Sequence, residues 1–138
     1  MILNADITIF NKLLDPETRR ELMIPTVIRG VSLFNRRSSS AGSGEQSAKP
    51  TAIIRIPIDA DTSGKQYVDE VEYRALGTVS GAWTVQLGDI VVPYATESGA
   101  VTETDLKRIY SDVFAVSEFT YNTTRGSQRM RHWRIGGV

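Results

Sequence analysis

The stretch MIPTVIRGVSLF, residues 23–34, decides the fold. It is rich in β-branched side chains, and its apolar residues fall on both sides of an extended chain, so it predicts one long strand. Pro25 cannot donate a backbone hydrogen bond, which predicts that this end of the strand lies at an edge or at its start. Gly30 predicts a bulge or a bend.

Further strand-like segments lie on both sides of this stretch. Each is short, enriched in β-branched or aromatic residues, and bounded by turn-forming residues such as the Asp-Pro pair at 15–16. The predicted strands cover residues 6–11, 51–58, 66–68, 71–76, 83–87, 89–94, 113–121 and 128–135. Alternation at 83–87 predicts one buried face and one face in water. The last two strands are expected to form a hairpin.

One short helix is predicted, over about residues 102–111. Thr102 has the position of an N-cap, and Asp105 follows at the spacing of a capping box. Acidic residues come first in this segment and basic residues later, as the helix dipole favours. The face expected to pack on the sheet consists of Leu106, Ile109 and Tyr110.

Residues 36–50 are rich in Ser and Gly and lack apolar periodicity, which predicts a long flexible loop. The chain is therefore expected to be mainly β, with a single domain over residues 1–138. The expected architecture is a small antiparallel barrel or sandwich with one short helix.

Composition excludes several kinds of site. The chain has no cysteine and one histidine, His132, which excludes disulfides, thiolate zinc sites and clusters of several histidines. Sixteen Lys and Arg balance sixteen Asp and Glu, so no overall field attracts nucleic acid or a membrane. No phosphate-binding loop or catalytic carboxylate spacing is present either. The sequence therefore predicts a soluble protein with little to support an enzymatic role, with no membrane span and no secretory signal.

One segment has the spacing of a calcium-binding loop. Residues 59–70 place oxygen ligands at the first, third and fifth positions, glycine at the sixth and glutamate at the twelfth. The preceding segment, however, is a predicted strand rather than a helix, and the eighth position is glutamine instead of an apolar residue. The alternative is a polar connection between two strands. The candidate ligands are Asp59, Asp61, Ser63 and Glu70.

Charge is segregated along the chain although the total is zero. The last fourteen residues carry four arginines and no acid, whereas in residues 59–72 five acids against one lysine give −4. The basic residues are Arg125, Arg129, Arg131 and Arg134, and the acidic ones are Asp59, Asp61, Asp69, Glu70 and Glu72. Three interpretations stay open: nucleic-acid binding with Trp133 as a stacking platform, pairing between copies of the chain, and a solvated strand face.

Four motifs, taken in chain order, resemble the small neck proteins of tailed bacteriophages and prophages. They are DITIFN at 6–11, Arg-Ile-Pro at 55–57, GDIVV at 88–92, and a closing stretch that runs from Arg-Gly-Ser at 125–127 through His-Trp-Arg at 132–134 to Gly-Gly at 136–137. Members of this group include minor capsid, head–tail connector and head-closure proteins. The resemblance covers nearly the whole chain, and its motifs are structural rather than catalytic.

The resemblance implies a small β-barrel or sandwich that forms a homo-oligomeric ring in the virion neck, assembled in the cytoplasm of the bacterial host. The implied partners are the portal or adaptor protein, tail proteins, and DNA that passes through the channel without sequence-specific recognition. It implies no enzymatic activity and no cofactor. A tail-terminator or other tail-side ring protein is the alternative, and a small nucleic-acid-binding barrel is a second one.

Ring contacts join two different surfaces, and the segregated charges predict which ones. Arg129, Arg131 and Arg134 are expected to meet the acidic segment 59–72 of a neighbouring copy. The loop at 36–50 is expected to order on assembly or to project into the channel. Its candidate channel or partner residues are Arg36, Arg37, Ser40, Gly42, Gly44 and Lys49.

Overall fold

The computed structural model describes residues 2–15, 17–35, 51–76, 81–122 and 131–138 of the chain. The strands are β1 (Ala5–Leu14), β2 (Glu21–Asn35), β3 (Ala52–Pro57), β4 (Gln66–Tyr67), β5 (Ala82–Trp83), β6 (Ile90–Val92), β7 (Phe114–Asn122) and β8 (His132–Gly137). The helices are α1 (Glu70–Ala75) and α2 (Glu103–Ile109).

Six of the strands form a closed antiparallel barrel in the order β1-β2-β3-β8-β7-β6, with β6 returning to pair with β1. The remaining strands, β4 and β5, form a separate two-stranded parallel sheet. The expectation of a mainly β protein is confirmed, and closure of the ladder decides for the barrel against the sandwich. The predicted hairpin pairing of β7 with β8 is also confirmed, whereas its connecting residues 123–130 and the loop at 36–50 lie outside the described residues.

The long predicted strand is β2, which takes two partners in turn. Its residues 21–31 pair with β1, and its residues 32–35 pair with β3. Gly30 has φ +75° at a shift in the register with β1, and its N–H donates to Asp6 Oδ1 at 3.0 Å. The predicted bulge is confirmed. Pro25 lies where β1 is the only ladder partner of β2, in agreement with the edge position expected for it.

Apolar side chains from all six barrel strands fill the interior. They are joined by Trp83 of β5 and by Val85, which follows β5. Outside the barrel, α2 covers Phe10 and Met23 with Leu106. The interior cluster consists of Ile7, Ile9, Ile28, Val31, Ile54, Ile56, Trp83, Val85, Val91, Val116, Trp133 and Ile135.

Residues 71–75 belong to helix α1 and Leu76 is its C-cap, so the strand predicted at 71–76 is wrong and the described chain has two short helices rather than one. Asp69 is the N-cap, and its side chain accepts the Glu72 N–H at 2.8 Å. This cap satisfies a backbone donor at the helix start, and acidic residues in the first turn favour the same conformation. The β-branched and aromatic residues of the segment concealed that signal.

The structure differs from the sequence prediction in the exposed face at 83–87 and in the packing face of the helix at 102–111. Residues 82–86 are all buried, so the predicted wet face at 83–87 is wrong, and the strand ends at Trp83. The predicted helix at 102–111 is confirmed, with Thr102 as its cap. However, Ile109 is 58% exposed, because Leu106 and Tyr110 alone of that face meet the barrel.

The two helices of the described chain contain six and seven residues. Neither approaches the length and hydropathy that a bilayer-spanning helix requires.

Candidate functional site

A cavity of about 360 Å³ opens at the end of the barrel where β1 ends and β2 begins. Its wall combines leucine side chains with charged and amide groups from five parts of the chain. The lining residues are Lys12, Leu13, Leu14, Glu21, Arg74, Gln86, Leu87 and Asp89.

Asp89 is a fully buried carboxylate at the base of this cavity. Its Oδ2 accepts hydrogen bonds from Asn11 Nδ2 at 2.7 Å and from the Gln86 N–H at 3.0 Å. Its Oδ1 accepts from the Lys12 N–H at 3.0 Å and from Gln86 Nε2 at 3.4 Å. Four donors thus surround two oxygens, which is the arrangement expected of a carboxylate that fastens segments of the chain together.

The network extends from Asp89 to the barrel wall and to α1. Asn11 Nδ2 donates to Thr84 O at 2.6 Å, and Asn11 Oδ1 accepts the Thr84 N–H at 3.1 Å. Gln86 Nε2 donates to Lys12 O, and Gln86 Oε1 accepts from Arg74 Nε, both at 3.0 Å. The network therefore replaces strand pairing for residues 84–86 and holds them against β1.

Burial raises the pKa of Asp89 to about 6, although the hydrogen bonds from Lys12, Asn11 and Gln86 act in the opposite direction. Desolvation disfavours the charged carboxylate, and donors favour it. Such a pKa occurs in catalytic acids, but both Asp89 oxygens here are occupied by donors of the fold. The arrangement is that of a structural anchor that titrates near neutral pH.

The segment that resembled a calcium-binding loop covers the free edge of β2. The Arg29 N–H donates to Asp61 O at 2.8 Å, and Ser63 Oγ donates to Val27 O at 2.7 Å. Lys65 Nζ donates to Pro25 O at 2.7 Å, and burial lowers the pKa of Lys65. Backbone groups at alternate residues of β2 are thus satisfied by a polar connection instead of a strand.

The four candidate calcium ligands have other partners or lie apart. Asp61 Oδ1 accepts the Ser63 N–H at 3.0 Å, and Glu70 forms an ion pair with Arg74 at 3.3 Å. Asp59 is exposed on the connection after β3. In the described ranges no three acidic or histidine side chains are grouped so as to hold a metal ion. The structure is thus in line with the alternative of a polar connection.

The acidic segment 59–72 is on the surface, as a docking role requires: Asp59, Asp61, Asp69 and Glu72 are exposed. The basic segment is different. Arg134 forms an ion pair with Glu118 of its own chain at 3.0 Å.

Arg131 is partly buried, and its Nε has no hydrogen-bond partner in the described chain. The Ile58 N–H donates to Arg131 O at 3.2 Å. The start of β8 and the start of the acidic segment therefore lie side by side in one molecule. The two charged segments, separate in sequence, meet at one place in the fold.

Several candidates lie outside the described residues. They are Arg125 and Arg129 of the basic segment and the loop residues Arg36, Arg37, Ser40, Gly42, Gly44 and Lys49.

Trp133 belongs to the barrel core and is not a stacking platform. It is 9% exposed, and its ring centroid lies 5.0 Å from that of Tyr67 and 5.1 Å from that of Trp83. Alternation along β8 places Trp133 and Ile135 inside the barrel and Arg134 outside. His132, the first residue of β8, is partly buried next to them.

Sequence reasoning missed the residues of the hydrogen-bond network beside the cavity, Asn11, Arg74, Gln86 and Asp89. Each is a single polar residue within a short apolar or mixed segment, and no motif links them. A usable signal was present at the end of the predicted strand at 6–11, where Asn11 follows the apolar and β-branched residues 7–10.

Comparison with curated proteins and with solved structures finds no match. A family model does match, over residues 2–138, which is nearly the entire sequence. The chain therefore belongs to that family, a family of unknown function designated DUF6751.

Proposed function

We propose that this protein is a structural subunit of the head–tail interface of a tailed bacteriophage, a head-closure or connector ring component that links the portal complex to the tail. The neck-protein motifs support this proposal, since they run in order along nearly the whole chain. A small closed barrel with a filled interior also suits a subunit that must keep its shape under load.

The observation that carries the proposal is the presence of exposed apolar side chains at both ends of the barrel. Leu3 and Phe34, 54% and 55% exposed, lie at the end where β1 begins. Leu14 and Leu87, 57% and 63% exposed, lie at the cavity end. The ten-residue strand β1 separates the ends by about 30 Å. Two different surfaces on one subunit are what head-to-tail assembly of rings or stacked layers requires.

The apolar ends are favoured as contact surfaces over a direct pairing of the basic segment with the acidic segment of another copy. Arg134 already forms an ion pair with Glu118 of its own chain. The Arg131 carbonyl oxygen accepts a hydrogen bond from the N–H of Ile58, the residue before Asp59. A contact between this basic segment and the acidic segment of another copy would therefore have to compete with contacts inside each subunit.

The genetic test uses a phage or prophage that encodes this chain, with a stop codon early in its gene. We expect heads that have lost their DNA and separate tails in electron micrographs of the lysate, because the joint between them is missing. Expression of the intact chain from a plasmid should restore joined particles. Normal infectious particles from the stop-codon phage would refute the proposal.

The same micrographs separate head closure from the tail-side alternative. Loss of a closure ring lets packaged DNA escape, so heads should be empty while tails keep a uniform length. Loss of a tail terminator leaves the growing tube uncapped, so tails of irregular length should accompany full heads. The nucleic-acid-binding alternative is not favoured, because the aromatic residue on which it depended is in the core.

A further inference from the structure

Among the charged side chains that line the cavity, the two cations form ion pairs and, within the described residues, the two carboxylates do not. Lys12 forms an ion pair with Glu103 at 3.4 Å, and Arg74 forms one with Glu70 at 3.3 Å. In the described part of the chain, neither Glu21 nor Asp89 has a cationic partner within ion-pair distance. Once the two ion pairs are counted, Glu21 is left without a cationic partner among the residues that the structure describes, and Asp89 is held there only by neutral hydrogen-bond donors.

The connection beside the cavity does not compensate them. Residues 15–20 contain two acids and two arginines and are neutral in sum. Glu21 is exposed at the rim, whereas Asp89 is buried behind it. The rim of the cavity therefore presents the negative charge of Glu21 to an incoming group, and the Asp89 carboxylate lies behind it.

The remaining wall is apolar and reachable from solvent. Leu14 and Leu87 are mostly exposed, and Leu13 lies between the rim and the core. An arginine side chain combines a long aliphatic stem with a delocalised cation that is weakly hydrated. The exposed leucines beside the Glu21 carboxylate match those two parts, since Leu14 is the ladder partner of Glu21.

We propose that this cavity binds an arginine side chain from the basic segment 125–134 of a second copy of the chain. This inference rests on the proposed function, since ring assembly is what brings a second copy to the cavity. The segment is the richest in arginine and carries no acid. Within it Arg134 is paired with Glu118 and Arg131 is partly buried, so Arg125 and Arg129 are the candidates. The sequence places both of these residues between β7 and β8.

The binding test uses a fluorescein-labelled peptide of residues 125–134, titrated with the full-length protein and followed by fluorescence anisotropy. We expect saturable binding that weakens as salt is raised. Glu21→Lys, which reverses the charge at the rim, should weaken binding at least tenfold. Glu17→Lys is the matched control, because Glu17 is exposed on the adjoining connection and does not line the cavity. It should change binding less than twofold.

A second peptide, with glutamine at positions 125 and 129, separates the arginine contact from general attraction to the segment. It should bind at least tenfold more weakly than the native peptide. Equal binding of the two peptides, equal binding to wild type and Glu21→Lys, or no binding at all would overturn the inference. Circular dichroism on each variant verifies that the barrel is folded.

The two proposals fail in different experiments. If the peptide does not bind but the stop-codon phage lacks joined particles, the head–tail function stands and the arginine contact is wrong. If the peptide binds through Glu21 but the stop-codon phage is normal, the neck function is wrong, and the contact between copies must serve another assembly.

Discussion

The apolar interior and the Asp89 network are equally buried, but opposite chemistry holds them together. In the interior, residues such as Ile54 and Ile135 are fully buried among other aliphatic side chains from every barrel strand. In the network, Asn11 reaches partners 73 and 78 residues away, and a buried carboxylate has four donors. Non-directional apolar packing tolerates many sequences, whereas a buried charge is tolerable only when each donor is in place. Substitutions in the two regions should therefore differ in the size of their effects and in their dependence on pH.

The largest effect is expected in the apolar interior. Ile54→Ala removes buried methyl and methylene groups and leaves a cavity, so it should lower the free energy of unfolding by about 2–5 kcal/mol. Urea denaturation followed by tryptophan fluorescence measures this change. Ile109→Ala is the control at an exposed apolar position and should stay within about 0.5 kcal/mol of wild type. A similar loss for both variants would contradict the burial assigned to them.

The pH dependence of stability should reveal Asp89. Its pKa is raised from 3.8 to about 6 in the folded protein, so the folded state holds this proton more tightly than the unfolded state does. Its contribution to stability is therefore full below about pH 4 and is lost as pH rises through about 6. The change corresponds to about 3 kcal/mol, from about 1.4 kcal/mol for each pH unit between the two pKa values.

Asp89→Asn supplies the reference for that measurement. The difference in unfolding free energy between wild type and this variant, measured by urea denaturation at pH 4, 6 and 8, should favour wild type increasingly toward low pH. A difference that is flat with pH would show that Asp89 has the same pKa in both states.

Asn11→Ala should have the next largest effect, about 2 kcal/mol, within the range for leaving buried polar groups unsatisfied. It orphans the N–H and C=O of Thr84 and removes one donor from Asp89. Hydrogen exchange should then rise at residues 84–86 more than in β3. Uniform acceleration of exchange through the barrel would instead mean that the network does not stabilise residues 84–86 locally.

The smallest effect is expected at the covered edge of β2. Ser63→Ala removes the hydrogen bond to Val27 O and should cost about 1 kcal/mol. Ser111→Ala is the control, since Ser111 is exposed and no side-chain hydrogen bond of the described chain involves it. Thermal unfolding of the two variants measures the difference. Equal midpoints would mean that water replaces Ser63 at this edge without loss.

Local signals predicted several elements correctly. The β-branched run at 23–34, its bulge at Gly30 and the cap at Thr102 follow from backbone preferences of single residues, and all three are present. Helix α1 was missed because Val71 and Tyr73 favour a strand, while the cap at Asp69 lies just outside the segment. The spacing of residues 59–70 resembles a calcium-binding loop, but a spacing motif alone does not identify a metal site. Here the Asp61 carboxylate accepts a hydrogen bond within a turn, and the Ser63 hydroxyl donates to the edge of β2.

The sequence by itself determined the β content, the helix cap at Thr102 and the separation of acidic from basic segments along the chain. Those properties depend on residue type and near neighbours, which a linear reading contains. Only the tertiary structure decided that the strands close into a barrel, that Trp133 faces inward and that residues 131 and 58 come together. Each of these depends on contacts between distant segments, whose burial and hydrogen bonding exist only once the barrel has closed.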